Sequence, residues 1–179
     1  MKTNYANPDF LFIKVYFIVP QNRHFSRGQN KLLVFKTSCR EDTAKIGEKL
    51  AGHLNGGTVV ALFGGMGMGK TVFSGGVARG LGLCAEVSSP TFAIVHDYGG
   101  TPPMYHFDMY RITSWDDLYS SGFFDYIDEG GILCVEWSEN IENALPHEKL
   151  IKVTISRGDT DSERVIQIEG GEQLENSWN

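Results

Sequence analysis

The chain has few cysteines, and their spacing is not that of a metal site or of a disulfide framework. Its 179 residues include Cys39, Cys84 and Cys134, which form no C-x-x-C pair. An odd number of widely separated thiols favours neither a disulfide framework nor a zinc site. We therefore expect a protein of the reducing cytoplasm.

The sequence also lacks a membrane-length apolar run and an excess of positive charge. The apolar stretch from Phe10 to Val19 is interrupted by Lys14 and falls short of the roughly 20 residues that a spanning helix needs. It is followed by Pro20 to His24 instead of the small residues of a signal-peptide cleavage site. The net charge of −6 argues against independent nucleic-acid binding, because neutralising phosphates requires a basic face. We expect no membrane association, and contact with RNA only through a partner.

Length and composition predict one domain with a proper core. Hydrophobic residues make up 41% of the chain and aromatic residues 12%, which is enough to bury a core without disulfides or metals. We divide the chain into an N-terminal extension over residues 1–30, a domain over residues 31–170 and a tail over residues 171–179. The extension is expected to be either flexible or an added strand.

A complete phosphate-binding loop is the most informative feature present. Residues 64–71 read Gly-Gly-Met-Gly-Met-Gly-Lys-Thr and match G-x-x-x-x-G-K-[ST], between an apolar run over 58–63 and a helix predicted from about Lys70 to Gly80. The glycines let backbone N–H groups point at phosphate oxygens, Lys70 reaches the β- and γ-phosphates, and the Thr71 hydroxyl can bind Mg²⁺. The predicted nucleotide-binding residues here are Gly65, Met66, Gly67, Met68, Gly69, Lys70, Thr71 and Val72.

The remaining patterns predict an α/β fold. Ser38 to Glu41 has the S-x-x-E form of a capping box, and apolar residues at helical spacing follow it until Asn55-Gly56-Gly57. Ile132 to Val135 is a continuous apolar run, typical of a strand buried on both faces of a parallel sheet. Segments at 150–156 and 164–168 predict two antiparallel strands joined by a polar turn. We expect a mostly parallel central sheet with antiparallel additional strands.

Two carboxylates are candidates for the acidic groups that nucleotide hydrolysis needs. Glu136 ends the apolar strand over 132–135, and Asp108 follows a predicted strand over 104–107. Both positions lie at the sheet edge where the phosphate loop also lies, so both could hold Mg²⁺ or orient a water molecule. Each also has a structural interpretation: Asp108 could cap a helix or pair with Arg111, and Glu136 could cap a helix N-terminus.

Four further features keep two interpretations each. Arg111 could be an arginine finger in cis or the salt-bridge partner of the preceding aspartate. His106 could be a base, although on an aromatic-rich strand a hydrogen-bonded core residue is favoured. Trp137 could be a packing anchor or part of the site. The segment from Ser88 to Thr91 could be a switch loop or a simple turn.

Four ordered motifs carry a resemblance to a known family. They are Leu62–Thr71, Ser89–Phe92, His106–Arg111 and Val135–Trp137. In this order and spacing they resemble the TsaE family, also named YjeE and YdiB, small bacterial P-loop ATPases of tRNA threonylcarbamoyladenosine (t6A) biosynthesis. The resemblance runs roughly from Leu32 to the strand at 164–168 and implies a P-loop NTPase-like sandwich.

The resemblance also implies roles for residues and partners. It implies catalytic roles for Asp108, Glu136 and Lys70, metal binding by Thr71, Glu136 and Asp108, and nucleotide binding by the loop together with Trp137 and Arg164. The implied ligands are ATP or ADP with Mg²⁺. The implied partners are TsaD and TsaB, whose complex ATP hydrolysis would drive or reset, with tRNA contacted only through that complex. Weak hydrolysis by the chain alone is expected, because some positioning groups would come from the partners.

The chain departs from the family pattern in two places. Gly65 stands where the family usually has aspartate, and Met68 stands where it has alanine. Phosphate binding there uses the backbone and should survive, whereas any role of the aspartate charge is in doubt. The extension through Asn30 is not covered by the resemblance.

Three competing functions are weighed against this one. A small-molecule kinase would need an acceptor site and usually an arginine-rich lid, and no arginine-rich segment follows the core. A GTPase is disfavoured because the chain contains no N-K-x-D sequence. A nonhydrolysing nucleotide-dependent interaction module would use Thr71, Asp108 and Glu136 only to organise the Mg-nucleotide.

Overall fold

The computed structural model describes residues 15–16, 31–83, 90, 93–170 and 174. Within these residues the strands are β1 (Val15–Tyr16), β2 (Lys31–Thr37), β3 (Val59–Phe63), β4 (Val95–Gly100), β5 (Pro103–Asp108), β6 (Ile132–Glu136), β7 (Leu150–Arg157) and β8 (Arg164–Gly170). The helices are α1 (Arg40–Ala51), α2 (Lys70–Gly80), α3 (Trp115–Ser120) and α4 (Phe123–Asp128), followed by a 3₁₀ segment (Ser138–Ala144). None of these helices is both long and apolar enough to cross a membrane.

All described strands belong to one sheet with the order β1-β2-β8-β7-β3-β6-β5-β4. The central strands β7, β3, β6 and β5 are parallel to one another. The outer pairings, β1 with β2, β2 with β8, β8 with β7 and β4 with β5, are antiparallel. This confirms a mostly parallel centre with antiparallel additions. In the N-terminal extension, Val15 and Tyr16 pair with Phe35 and Val34.

Two hydrophobic layers cover the two faces of the sheet. Alternate residues of β3 divide between them, because successive side chains of a strand point to opposite faces. Val60 and Leu62 pack with the core under α1 and α2, whereas Val59 and Ala61 pack with the core under α3 and α4. Every residue of β6 is buried, as predicted for a central parallel strand.

The predicted capping box at the start of α1 is wrong. The helix begins at Arg40 with Cys39 as N-cap, one residue later than the S-x-x-E pattern requires, and Cys39 makes no side-chain cap bond. Asp42 therefore takes the third helical position, and its Oδ2 accepts a hydrogen bond from Ser38 Oγ at 2.9 Å. Glu41 turns instead to Arg79 of α2, 3.1 Å away.

The end of α1 also differs from the prediction. The helix stops at Ala51 with Gly52 as C-cap, before the predicted stop at Asn55-Gly56-Gly57. By contrast, α2 spans Lys70–Gly80, the range predicted from the phosphate loop. The two strands predicted at the C-terminal end are confirmed as β7 and β8.

Glycines bring α1 and α2 into close contact. A Cβ atom on Gly76 would lie 1.9 Å from the carbonyl oxygen of Ala44, and one on Gly47 would lie 2.3 Å from that of Phe73. Neither approach leaves room for a side chain. The start of α1 is thereby fixed beside the phosphate loop, which leads into α2.

Candidate nucleotide site

A cavity of about 470 Å³ lies at the carboxyl edge of the parallel strands. It is bounded by the phosphate loop, the start of α1, the ends of β5 and β6, and the start of β8. The predicted site residues that line it are Met66, Gly67, Met68, Gly69, Lys70, Thr71, Val72, Asp108, Glu136, Trp137 and Arg164. Its volume is in the range of small-molecule and cofactor sites.

The phosphate loop owes its shape to glycines in the left-handed region. Gly67 and Gly69 have φ angles of +73° and +106°, which L side chains rarely adopt. At Gly64, where φ is +131°, a Cβ would also meet the carbonyl oxygen of Ile155 at 2.3 Å. The loop then passes directly into α2, whose first N–H groups and dipole favour an anion.

The structure gives a steric account of the two departures in the loop. A Cβ on Gly65 would have no atom within 4 Å, so space does not require glycine there. Met68 is partly buried and packs against the core beneath α1 and α2. Gly65 itself does not line the cavity, but its carbonyl oxygen accepts a hydrogen bond from Lys70 Nζ at 3.0 Å.

Lys70 is buried against its own loop. Its Nζ also donates to the carbonyl of Gly64 and lies 3.8 Å from the centre of the Trp137 ring. Burial lowers the pKa of Lys70 from its usual value, and the nearby carboxylates of Glu136, Glu139 and Asp108 oppose that shift. A polyphosphate beside this ammonium group would add favourable charge, as the phosphate-binding role requires.

The two candidate carboxylates lie side by side. Asp108 and Glu136 are paired in the parallel register of β5 and β6, and both are at least 96% buried, with relative exposures of 4% and 3%. Asp108 Oδ1 accepts a hydrogen bond from the Tyr110 backbone N–H at 3.0 Å. Glu136 Oε1 lies 2.8 Å from His106 Nε2. Glu136 does not cap the 3₁₀ segment, whose N-cap is Trp137.

His106 contacts a residue of the site without lining the cavity itself. It is fully buried on β5, as its core interpretation predicted, and its hydrogen-bond partner is the candidate acid Glu136. The two residues are 30 positions apart, so no local spacing indicates the contact.

Trp137 turns the chain immediately after the candidate acid. Its φ of +58° and ψ of +40° are left-handed, which is uncommon for a bulky residue and often found at functional sites. This turn places its ring over Lys70 and 4.9 Å from the ring of Tyr110, measured between centroids. Trp137 therefore lies in the site and also packs there.

Arg164 joins β8 to the phosphate loop. Its Nε donates to the carbonyl of Met68 at 3.1 Å, and its Nη2 lies 3.5 Å from that of Gly67. A guanidinium that holds loop carbonyls fixes the loop's shape while contributing positive charge to the cavity. Arg164, to which the family resemblance gave a nucleotide-binding role, thus lines the cavity.

Several cavity residues were not predicted. They are Cys39, Arg40, Thr43, Tyr110 and Ser162. Tyr110 belongs to the motif His106–Arg111, which could have indicated it. The start of α1 carries no recognisable nucleotide-binding pattern, and it reaches the cavity only through helix packing.

The predictions for Arg111 and for the possible switch loop are not tested by the structure. Arg111 is exposed and is not among the described residues that line the cavity, so its two interpretations stay predictions. The segments Ser88–Thr91 and Ser89–Phe92 lie outside the described residues except for Pro90.

The donors at the cavity fit Mg²⁺. Thr71, Asp108 and Glu136 offer only oxygen atoms, the ligands that this hard cation prefers. Within the described part of the chain no three His, Cys, Asp or Glu side chains form a ready-made metal cluster. Such a set suits Mg²⁺ held partly by phosphate oxygens, as is usual for this ion, better than a metal held by protein alone.

Comparison with known proteins identifies the family. The family model described as "Threonylcarbamoyl adenosine biosynthesis protein TsaE" matches residues 37–166. The curated TsaE protein of Bacillus subtilis is 39% identical over 134 residues, which cover 74% of this chain and 84% of that protein. The TsaE protein of Treponema pallidum is 38% identical over 116 residues, which cover 65% of this chain and 84% of that protein.

A solved structure agrees with the sequence comparisons. The crystal structure of YdiB from Bacillus subtilis superposes with a TM-score of 0.65 at 34% identity, covering 79% of this chain and 86% of that chain. With most of its length matched, this chain belongs to the TsaE family of threonylcarbamoyl adenosine biosynthesis proteins.

Proposed function

We propose that this chain binds Mg-ATP in the cavity and hydrolyses it as the ATPase subunit required for t6A formation at position 37 of tRNA. The observation that carries the proposal is the placement of Asp108 and Glu136 as neighbours on adjacent parallel strands, facing the same cavity as Lys70 and Thr71. Phosphoryl transfer to water needs little more than such positioning and charge stabilisation.

Each part of the site has a separate role in the proposed reaction. Backbone N–H groups of the loop and the start of α2 bind phosphate oxygens, and Lys70 neutralises charge on the β- and γ-phosphates. Thr71 and Glu136 would hold Mg²⁺ together with the nucleotide, and the ion would supply further neutralisation of the phosphates. Asp108 stands beside these groups to orient the attacking water or to accept a hydrogen bond from it.

The proposed output is a change in a partner complex. We propose that hydrolysis drives or resets the TsaD–TsaB pair between rounds of tRNA modification. The net charge of −6 supports a division of labour in which partners hold the tRNA. This role and the three scattered cysteines are also consistent with the expected cytoplasmic location.

The test is Mg-ATP hydrolysis by the purified chain alone and after addition of a purified TsaD–TsaB pair. Lys70→Ala serves as the blank, because it removes the ammonium group that meets the phosphates. We expect low turnover alone and a clear rise with the pair. Brisk turnover that ignores the pair would point to a separate enzyme, and no turnover under either condition would point to a binding module.

A second variant separates hydrolysis from binding. Glu136→Gln keeps the size of the side chain but removes its charge, so we expect turnover with the pair to fall by at least about 10-fold. Unchanged turnover together with unchanged complex formation would favour the interaction module instead.

A further inference from the structure

His106 occupies a defined place beside the candidate metal acid. On β5 it lies two residues before Asp108, so both side chains point to the same face of the sheet. Its register partner on β6 is Cys134, two residues before Glu136. The imidazole thus reaches Glu136 diagonally across the two strands, with Nε2 and Oε1 separated by 2.8 Å.

The imidazole is held in one orientation. Its ring is fully buried and stacks on Tyr98 of β4, with 6.2 Å between centroids and 26° between planes. Its other nitrogen, Nδ1, has no hydrogen-bond partner in the described part of the chain. A proton on Nδ1 would therefore be an unpaired buried donor, and it would leave the Nε2 lone pair facing a carboxylate oxygen. The geometry favours a proton on Nε2, donated to Glu136.

We propose that His106 is a positioning residue for Glu136: its Nε2–H holds Oε1, so that the second oxygen, Oε2, serves Mg²⁺ in the cavity. This inference rests on the proposed function. A buried carboxylate without this donor would lose both a charge-assisted hydrogen bond and a fixed orientation. His106 itself is not among the residues that line the cavity, so it acts through Glu136.

A pair of substitutions of nearly equal size isolates the donor. His106→Gln places an amide N–H as many bonds from Cα as Nε2, whereas His106→Met fills similar space without a donor. Tyr105→Phe is the matched control. It removes the hydrogen bond that Tyr105, the residue just before His106 on β5, donates to Glu129, and neither of these two residues lines the cavity. Each variant is compared with the wild type for Mg²⁺-dependent affinity for a fluorescent ATP analogue, for Mn²⁺ binding by electron paramagnetic resonance, and for hydrolysis with the TsaD–TsaB pair.

We expect His106→Met to weaken Mn²⁺ binding and to raise the Mg²⁺ concentration for half-maximal nucleotide binding by about 10- to 100-fold, the usual effect of losing the partner of a metal ligand. Affinity for the nucleotide without metal should change little. His106→Gln should restore most of the loss, and Tyr105→Phe should match the wild type. Equal metal dependence in all four proteins would overturn the inference while leaving the proposed function intact.

One measurement needs no variant and therefore does not depend on variant folding. Nitrogen-15 spectra of the wild-type imidazole should show a protonated Nε2 at His106, and an unprotonated Nε2 would overturn the inference. A wild type whose nucleotide binding ignores Mg²⁺ would instead overturn the proposed function, and the role of His106 with it.

Discussion

Arg164 is the residue through which the antiparallel part of the sheet acts on the phosphate loop. It reaches the carbonyls of Gly67 and Met68 from the first position of β8. A hydrogen bond from a charged group contributes about 1.5–3 kcal/mol, and its loss would let the loop relax away from the phosphate-binding shape.

We therefore predict that Arg164→Met raises the Kd for Mg-ATP by roughly 10-fold or more, measured by titration calorimetry. Arg157→Met is the control, because Arg157 pairs with Asp161 on the exposed turn and does not line the cavity. Equal affinities in the two variants would show that the contact of Arg164 with the loop does not matter for binding.

At single residues, the sequence predicts chemistry where a residue type has a fixed place in a local pattern. Lys70 and Thr71 could be chosen because their spacing from the glycines is part of the phosphate-loop mechanism. Glu136 could be chosen because it ends an apolar strand. The hydrogen bond between His106 and Glu136 could not be predicted, since it depends on the register between two strands that are distant in sequence.

The contact between α1 and α2 is the element-level feature on which the cavity depends. Part of the cavity lining comes from the start of α1, and another part comes from the loop before α2. The helices approach closely because Gly76 faces the carbonyl of Ala44 without a side chain between them.

We predict that Gly76→Ala lowers the free energy of unfolding by about 1–3 kcal/mol, because the added methyl group forces the helices apart in a packed core. Gly52→Ala is the control, since a Cβ there meets only a carbonyl at 3.6 Å, and φ is −63°. Chemical denaturation of both variants measures the difference. A Gly76→Ala variant as stable as Gly52→Ala would contradict the tight packing of these helices.

The predicted helix bounds are correct where the local sequence pattern and the tertiary contacts favour the same residues. The bounds of α2 follow from the phosphate loop, and at the start of α3 Ser114 and Asp117 form a local capping box. At α1 they disagree: Glu41 bonds to Arg79 of α2, and the cap moves to Cys39. An ion-pair partner on another helix can draw a side chain away from a local cap. A local sequence pattern does not indicate such a distant partner.

For the whole molecule, net charge is the property with the clearest consequence. A net charge of −6 disfavours RNA binding by the chain alone, because that binding depends on positive groups that neutralise phosphates and release counterions.

We predict that the purified chain alone does not retain tRNA in a gel-shift assay at about 150 mM salt, where non-specific binding is weak at best. The same tRNA with the TsaD–TsaB pair and the chain together should shift. Tight, salt-sensitive binding by the chain alone would mean that its positive charges form a local basic face despite the overall balance.

The sequence by itself determined the glycine-rich loop before α2, the buried strand β6 and the acids that end β5 and β6, because each of these follows from residue type and spacing within a short segment. The tertiary structure decided which distant residues meet: the start of α1 and Arg164 on β8 share the cavity, and His106 pairs with Glu136 beside it. These contacts are set by strand order, register and the close approach of two helices. A linear pattern cannot encode them, since they arise only when the sheet assembles.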